Sequence, residues 1–194
     1  MKIVGITGGI GSGKSIICRI FNSLGVPVYN ADESAHSLYE RYPEIVKKIV
    51  KEISENVVDK NGKIIRKNLA EIVFSNPDKL KILNSIVHPA VKDDFESWSS
   101  NYRSYSYVLK EAAILFESGA YTACDKIITV TSPLELRISR VRERDHKSRL
   151  ETEQIISKQL DDEEKIKKSD FIIVNDELQL ILPQVLKIHA LLLK

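Results

Sequence analysis

Residues 1–20 read M-K-I-V-G-I-T-G-G-I-G-S-G-K-S-I-I-C-R-I, and the rest of the chain is read outward from them. Lys2 to Thr7 is a short apolar run of strand type and Gly8 to Gly13 a glycine-rich turn. From Lys14 onward Ile16, Ile17, Ile20 and Phe21 recur at helical spacing. Strand, turn and helix follow without a gap. Gly8, Gly13, Lys14 and Ser15 fit G-x-x-x-x-G-K-[ST], a frame whose backbone N–H groups wrap around the phosphates of a nucleotide. A loop that turns its amides inward needs residues free to take positive φ, and Gly9 and Gly11 add two more inside the frame. Lys14 brings a mobile ammonium to the outer phosphates, Ser15 offers a hydroxyl to Mg²⁺, and the helix points its positive end at the anion. The bland reading is a turn that merely joins a strand to a helix. Because both elements stand where the frame requires them, Gly8, Gly9, Ile10, Gly11, Ser12, Gly13, Lys14, Ser15 and Ile16 are the expected ATP-binding residues.

The composition suits one domain with a substantial insertion: 194 residues, 43% of them hydrophobic, supply a real core without staples. Lys and Arg number 29 against 27 Asp and Glu, and a net charge of +2 argues against a broad nucleic-acid or membrane-binding surface. Cys18 and Cys124 suggest no disulfide framework, and no leader or apolar run near twenty residues is seen. The expectation is a cytoplasmic protein with reduced thiols. Oligomeric state stays open.

After the first helix, Val26 to Tyr29 reads as a second strand, closed by Asn30-Ala31-Asp32-Glu33. In a parallel sheet with helical crossovers every strand delivers its carboxyl end to the ligand-binding rim, so Asp32 is expected on the side of the phosphate loop. A carboxylate there accepts a proton from an attacking hydroxyl or holds a water on Mg²⁺. Alternatively Asn30 and Glu33 form a capping box and Asp32 favours the helix dipole. From Ser34 to about Ser100 helical spacing dominates, with helices expected near 34–41, 43–54, 66–74 and 77–99. Two short extended pieces flank Asn61-Gly62, and His88-Pro89 is expected to interrupt the last helix. So long a helical block exceeds an ordinary crossover and reads as an insertion over the substrate side of the site.

Tyr107 to Phe116 reads as the third strand, with Lys110 and Glu111 odd in a buried segment, either at its entrance or facing a cavity. Glu117 closes the apolar run, as a metal-holding strand-end acid or as a helix cap. A fourth strand, Lys126 to Thr131, leads into Ser132-Pro133, a helix start. Arg137, Arg140 and Arg144 then share one helix face, inside the chain's one strongly basic run. Such a face is usually solvated, but beside a phosphate site guanidinium groups suit a transferring phosphoryl. Glu151 to Lys168 reads as a charged lid helix. Asp170 to Val174 is a fifth strand ending at Asn175-Asp176, and the final helix either kinks or begins at Pro183.

These residues carry a resemblance along the whole chain. I-T-G-G-I-G-S-G-K-S, G-V-P-V-Y-N-A-D-E-S-A-H from Gly25 to His36, His88-Pro89, I-L-F-E-S-G from Ile114 to Gly119, Arg140-x-x-x-Arg144-Asp145, Gln159, and Ser169-Asp170 through Asn175 occur in that order. The set resembles the dephospho-CoA kinase family. The resemblance implies an α/β P-loop kinase fold with a five-stranded parallel sheet of order 2-3-1-4-5. It implies one kinase domain over 1–194, a helical coenzyme-binding insertion at 32–100 and lid helices at 137–168. The reaction implied is transfer of the γ-phosphoryl of ATP, with Mg²⁺, to the ribose 3′-hydroxyl of dephospho-CoA.

By motif position, Lys14, the loop amides and Mg²⁺ on Ser15 hold ATP, Arg140 and Arg144 close over the phosphates, Asn175 borders the adenine, and Asp32 takes the proton. His88 and Glu117 fall on the substrate side. Three residues depart from the family pattern: Asn30 where an Asp is usual, Ile16 where a Thr follows G-K-S, and Ala113 in place of a Pro. Two other readings share the loop: a kinase of nucleoside monophosphates, and a nucleotide-binding switch. The switch is disfavoured because Asp59-Lys60-Asn61-Gly62 matches D-x-x-G but lies in the insertion, with no N-K-x-D after it.

Overall fold

A computed structural model describes residues 1–194, apart from the side chain of Phe74. Its centre is β1 (Lys2–Thr7), hydrogen-bonded in parallel on one side to β3 (Tyr107–Glu111) and on the other to β4 (Lys126–Thr131). β2 (Val28–Asn30) lies outside β3 and β5 (Phe171–Val174) outside β4, giving the order β2-β3-β1-β4-β5. Strands covered on both faces are apolar throughout rather than alternating, which is why Ile-Val-Gly-Ile and Ile-Ile-Thr-Val carry so little polarity. Gly5 interrupts β1 because Leu115 lies against it: a Cβ there would stand 2.7 Å from the Leu115 Cδ2.

Several expected strand limits shift, that of β5 by one residue, to Phe171. β2 runs from Val28 rather than Val26, after a turn in which the Val26 amide returns to Phe21 O. β3 stops at Glu111 instead of Phe116, and residues 112–119 turn back on themselves, with the Ser118 N–H on Ile114 O. The apolar run continues past the strand because Leu115 and Phe116 are buried from a turn. Lys110 and Glu111 therefore close the strand at its carboxyl end, not its entrance.

α1 (Lys14–Ser23) follows β1 through the glycine turn, and Ile17, Cys18 and Phe21 enter the core. The chain divides into two compact units, residues 1–30 with 101–194, and residues 31–100. The second unit is α2 (Ala31–Arg41), α3 (Pro43–Glu52), α4 (Arg66–Phe74) and α5 (Pro77–Ser100), packed around Leu38, Ile49, Val57, Leu69 and Val87. Between α3 and α4 an antiparallel bridge joins Val58 to Ile64. Asp59 caps the turn by accepting the amides of Asn61 and Lys63 at 2.8 and 2.9 Å, which hold its carboxyl below the usual range.

α5 passes straight through Pro89 rather than breaking at it. One lost backbone bond, costing about 3 kcal/mol in an isolated helix, is outweighed by Val87, Phe95 and partly buried Ala90 and Val91, which keep one face of α5 in the unit's interior.

In the first unit, α6 (Leu134–Asp145) begins after Pro133, and the expected lid helix is two pieces, α7 (Arg149–Ile156) and α8 (Asp162–Lys167). A Ser148–Glu151 capping box starts the former, and the Asp161 carboxylate on the Glu163 amide starts the latter. α9 (Ile181–Leu192) carries Pro183 in its first turn, where no amide partner is missed, so it starts the helix without kinking it. Val185, Ile188 and Leu192 close the core against α1, and the Tyr107 hydroxyl meets His189 Nδ1 at 2.6 Å. Among the described residues no helix is long and apolar enough to cross a membrane.

Candidate active site

The turn between β1 and α1 is built around residues in the left-handed region: Gly8, Gly11 and Gly13 hold φ of 151°, 78° and 94°. Gly13 is the N-cap of α1, its carbonyl accepting the amides of Ile16 and Ile17. Close approach also keeps side chains out. A Cβ on Gly13 would lie 2.2 Å from Asn175 Nδ2, and one on Gly9 would lie 2.0 Å from Arg137 Nη2. Lys14 folds its ammonium back onto Gly8 O at 2.8 Å, and Ser15 is exposed in the first turn of the helix. The Ser12 hydroxyl is buried inside the loop and makes no hydrogen bond among the described residues. An unspent buried donor, an ammonium and a helix N-terminus on one glycine-rich turn fit a phosphate group.

Residues far along the chain brace this loop. Asn175, buried just past β5, donates Nδ2–H to Ser12 O at 2.8 Å, while its own amide returns to Thr131 O. Arg140 of α6 donates to Gly11 O at 3.3 Å, Ser132 Oγ at 3.1 Å, Asn175 O at 3.4 Å and Glu177 Oε1 at 2.8 Å. Of the expected ATP-binding residues, the structure thus brings together Gly8 to Ile16, Arg140 and Asn175. Arg144 ends α6 in a bidentate pair with its exposed neighbour Asp145, which raises its own pKa and lowers the aspartate's.

The expected substrate-side residues occupy three places. Asp32 is exposed in the first turn of α2, two residues beyond the carboxyl end of β2. His88 is half-buried in the middle of α5, and burial holds its imidazole below the ordinary value. Glu117, in the turn after β3, accepts the Leu160 amide at 2.7 Å and lies 3.9 Å from Lys165 Nζ.

Several contributors escape sequence reasoning. Arg137, read there only as part of a basic helix face, is 5% exposed and lies over Gly9, donating Nε–H to Ile10 O at 2.9 Å. Gln159 accepts the Ile10 amide at 2.9 Å. Nothing in the sequence separates Arg137 from its solvated neighbours, since burial of a cation depends on partners from other elements. Glu111, in register with Ile6 of β1 and Asn30 of β2, hydrogen-bonds the Cys18 thiol. Burial first, and then this carboxylate, push that thiol above its ordinary value. Cys18 and Cys124 are both free thiols.

Comparison with known proteins accords with this geometry. A dephospho-CoA kinase from Bacteroides fragilis is 39% identical over 189 residues, 97% of this chain and 92% of the relative. A crystal structure from Thermus thermophilus superposes with a TM-score of 0.88 at 34% identity, covering 100% of this chain and 98% of that one. The dephospho-CoA kinase of Campylobacter jejuni gives 0.69 at 34% identity, with 97% and 95% covered. The sheet order and these neighbours make the fold that of a P-loop kinase. With the sequence model of dephospho-CoA kinases matching residues 2–179, the chain belongs to the dephospho-CoA kinase family.

Proposed function

We propose that this enzyme transfers the γ-phosphoryl group of ATP to the ribose 3′-hydroxyl of dephospho-CoA, giving coenzyme A and ADP. The observation that carries the reading is the braced glycine loop of residues 8–15, with its lysine and unspent serine hydroxyl, in a chain of this family. Phosphoryl transfer asks the protein mainly for position and positive charge, because the transition state leaves little covalent chemistry to side chains. Lys14 exchanges the Gly8 carbonyl for the outer phosphates, the loop amides and the N-terminus of α1 take the remaining charge, and Arg140 stands beside Gly11. The exposed Ser15 hydroxyl would hold a Mg²⁺ that came with the nucleotide, and the ion would supply further positive charge to the phosphates. Asp32 accepts the proton of the incoming hydroxyl, and His88 and Glu117 serve the acceptor side. Residues 32–100 supply the coenzyme-binding region, and 137–168 the lid that excludes water. The reaction belongs in the cytosol, where the two free thiols are stable.

An assay of ATP consumption against dephospho-CoA, AMP and CMP tests the reading. Turnover with dephospho-CoA is expected, and turnover with AMP or CMP alone rejects it. In the same assay Asp32→Asn keeps its ATP affinity while kcat falls by roughly 10² or more. Unchanged kcat would return Asp32 to a helix-terminal role.

A further inference from the structure

Lys165 of α8 is a fully buried lysine whose side chain is 0% exposed. Its ammonium makes no hydrogen bond among the described residues. Two carboxylates stand just beyond contact, Asp162 Oδ1 at 3.8 Å and Glu117 Oε1 at 3.9 Å. A bare cation in such a place is held only if its neighbours balance it. Burial lowers its pKa, and Glu117 and then Asp162 oppose that.

Both carboxylates also have a second partner, and each leads to the apex of the phosphate loop. Asp162 Oδ2 accepts Arg137 Nη1–H at 2.7 Å, and the same guanidinium donates Nε–H to Ile10 O at 2.9 Å. Glu117 Oε1 accepts the Leu160 amide at 2.7 Å, and the preceding residue, Gln159, accepts the Ile10 amide at 2.9 Å. Ile10 thus spends both backbone groups outside the loop, on two arms that meet at one ammonium. Arg137 and Lys165 against Asp162 and Glu117 leave the cluster neutral.

We propose that Lys165 is a positioning residue for the nucleotide: by tying Asp162 to Glu117 it holds Arg137 and Gln159 in place, and through them the conformation of Ile10 at the tip of the phosphate loop. Lys165 touches no substrate; it acts through the loop. Without its charge Asp162 and Glu117 repel each other, and the segment carrying Gln159 loosens from Ile10. The amides of residues 10–13 then need ordering at the moment of binding, which costs affinity for ATP.

This inference rests on the loop being the ATP site, so ATP binding by the wild-type enzyme is measured first, by calorimetry. Gln159→Ala removes the acceptor of the Ile10 amide without changing charge, and Lys165→Met removes the ammonium. Each is expected to weaken ATP binding about tenfold, the scale of a coupling between contacting groups. In Gln159→Ala, which leaves Glu117 its partner, the KM for dephospho-CoA stays within about twofold, since uniform loss of fold would move both ligands. The double variant is expected to bind ATP no worse than the weaker single variant, because Lys165 acts through the Gln159 contact that the other substitution removes. Multiplying effects, or equal losses for ATP and dephospho-CoA in Gln159→Ala, would make the cluster merely structural and overturn the proposal. If Lys165→Met does not fold, Gln159→Ala decides: unchanged ATP affinity overturns it, and a selective loss upholds the arm through Ile10. A wild-type enzyme that binds no ATP fails the functional reading itself. One that binds and turns over while both variants match it fails only this inference.

Discussion

Gly13 illustrates how one residue carries two constraints at once. Its φ of 94° lies where a side chain is strained, and a Cβ would also press within 2.2 Å of Asn175 Nδ2. Gly13→Ala is therefore expected to destabilise the fold by about 1–3 kcal/mol, the range for a side chain forced into the left-handed region. It is also expected to weaken ATP binding, because relief requires Asn175 to release Ser12 O. Thermal melting with a parallel ATP titration checks both; a variant with normal stability and affinity would show that the loop tolerates the displacement. At this scale the sequence was informative where a residue type has one use, as with the positive φ of Gly8 and Gly13. It was silent where the same residue type has two uses. Arg137 and Arg144 stand on one helix face, yet the first is buried over Gly9 and the second pairs with the adjacent Asp145.

Among the elements, α5 shows how burial overrides a local rule. Pro89 lacks an amide, but the helix continues through it because Val87 and Phe95 are fixed in the interior. His88 shares that burial, and its lowered pKa gives a pH dependence of known sign. Above the ordinary histidine value, 6.5, the folded and unfolded chains are both neutral there, and nothing is lost. As the pH falls below it, the unfolded chain binds the proton first, so stability declines until the folded imidazole also titrates. Denaturation midpoints at pH 7.5 and pH 5.5 should differ more for the wild type than for His88→Gln; equal differences would assign the acid loss to other groups. Element limits were legible where a turn signal and a change of periodicity coincide, as at β4, α4 and α3. β3 was read too long because Leu115 and Phe116 continue its apolar run from a turn, and sequence cannot tell a buried strand from a buried turn.

Across the whole molecule, ligand linkage gives a measure of the site that needs no turnover. ATP at one hundred times its Kd adds about 2.7 kcal/mol to the folded state, and for a chain of this size that raises Tm by about 5–10 °C. Lys14→Ala should abolish most of that shift, because it removes the ammonium that stands on the loop at Gly8 O. A full shift in this variant would remove Lys14 from the site. The existence of the strands was readable from their apolar runs, whereas their order, β2-β3-β1-β4-β5, was legible only through the family resemblance. The bracing of the site was not, since its contacts span 149 residues from Ile10 to Gln159 and 163 from Ser12 to Asn175.

That last span bears on how the protein is made. The loop is made well before the side-chain amide that pins Ser12, which stands 163 residues further on, just past β5. A nascent or truncated chain lacking Asn175 has the glycines and lysine yet no fixed receptacle. Competence to take up nucleotide therefore waits on residues made long after the loop itself.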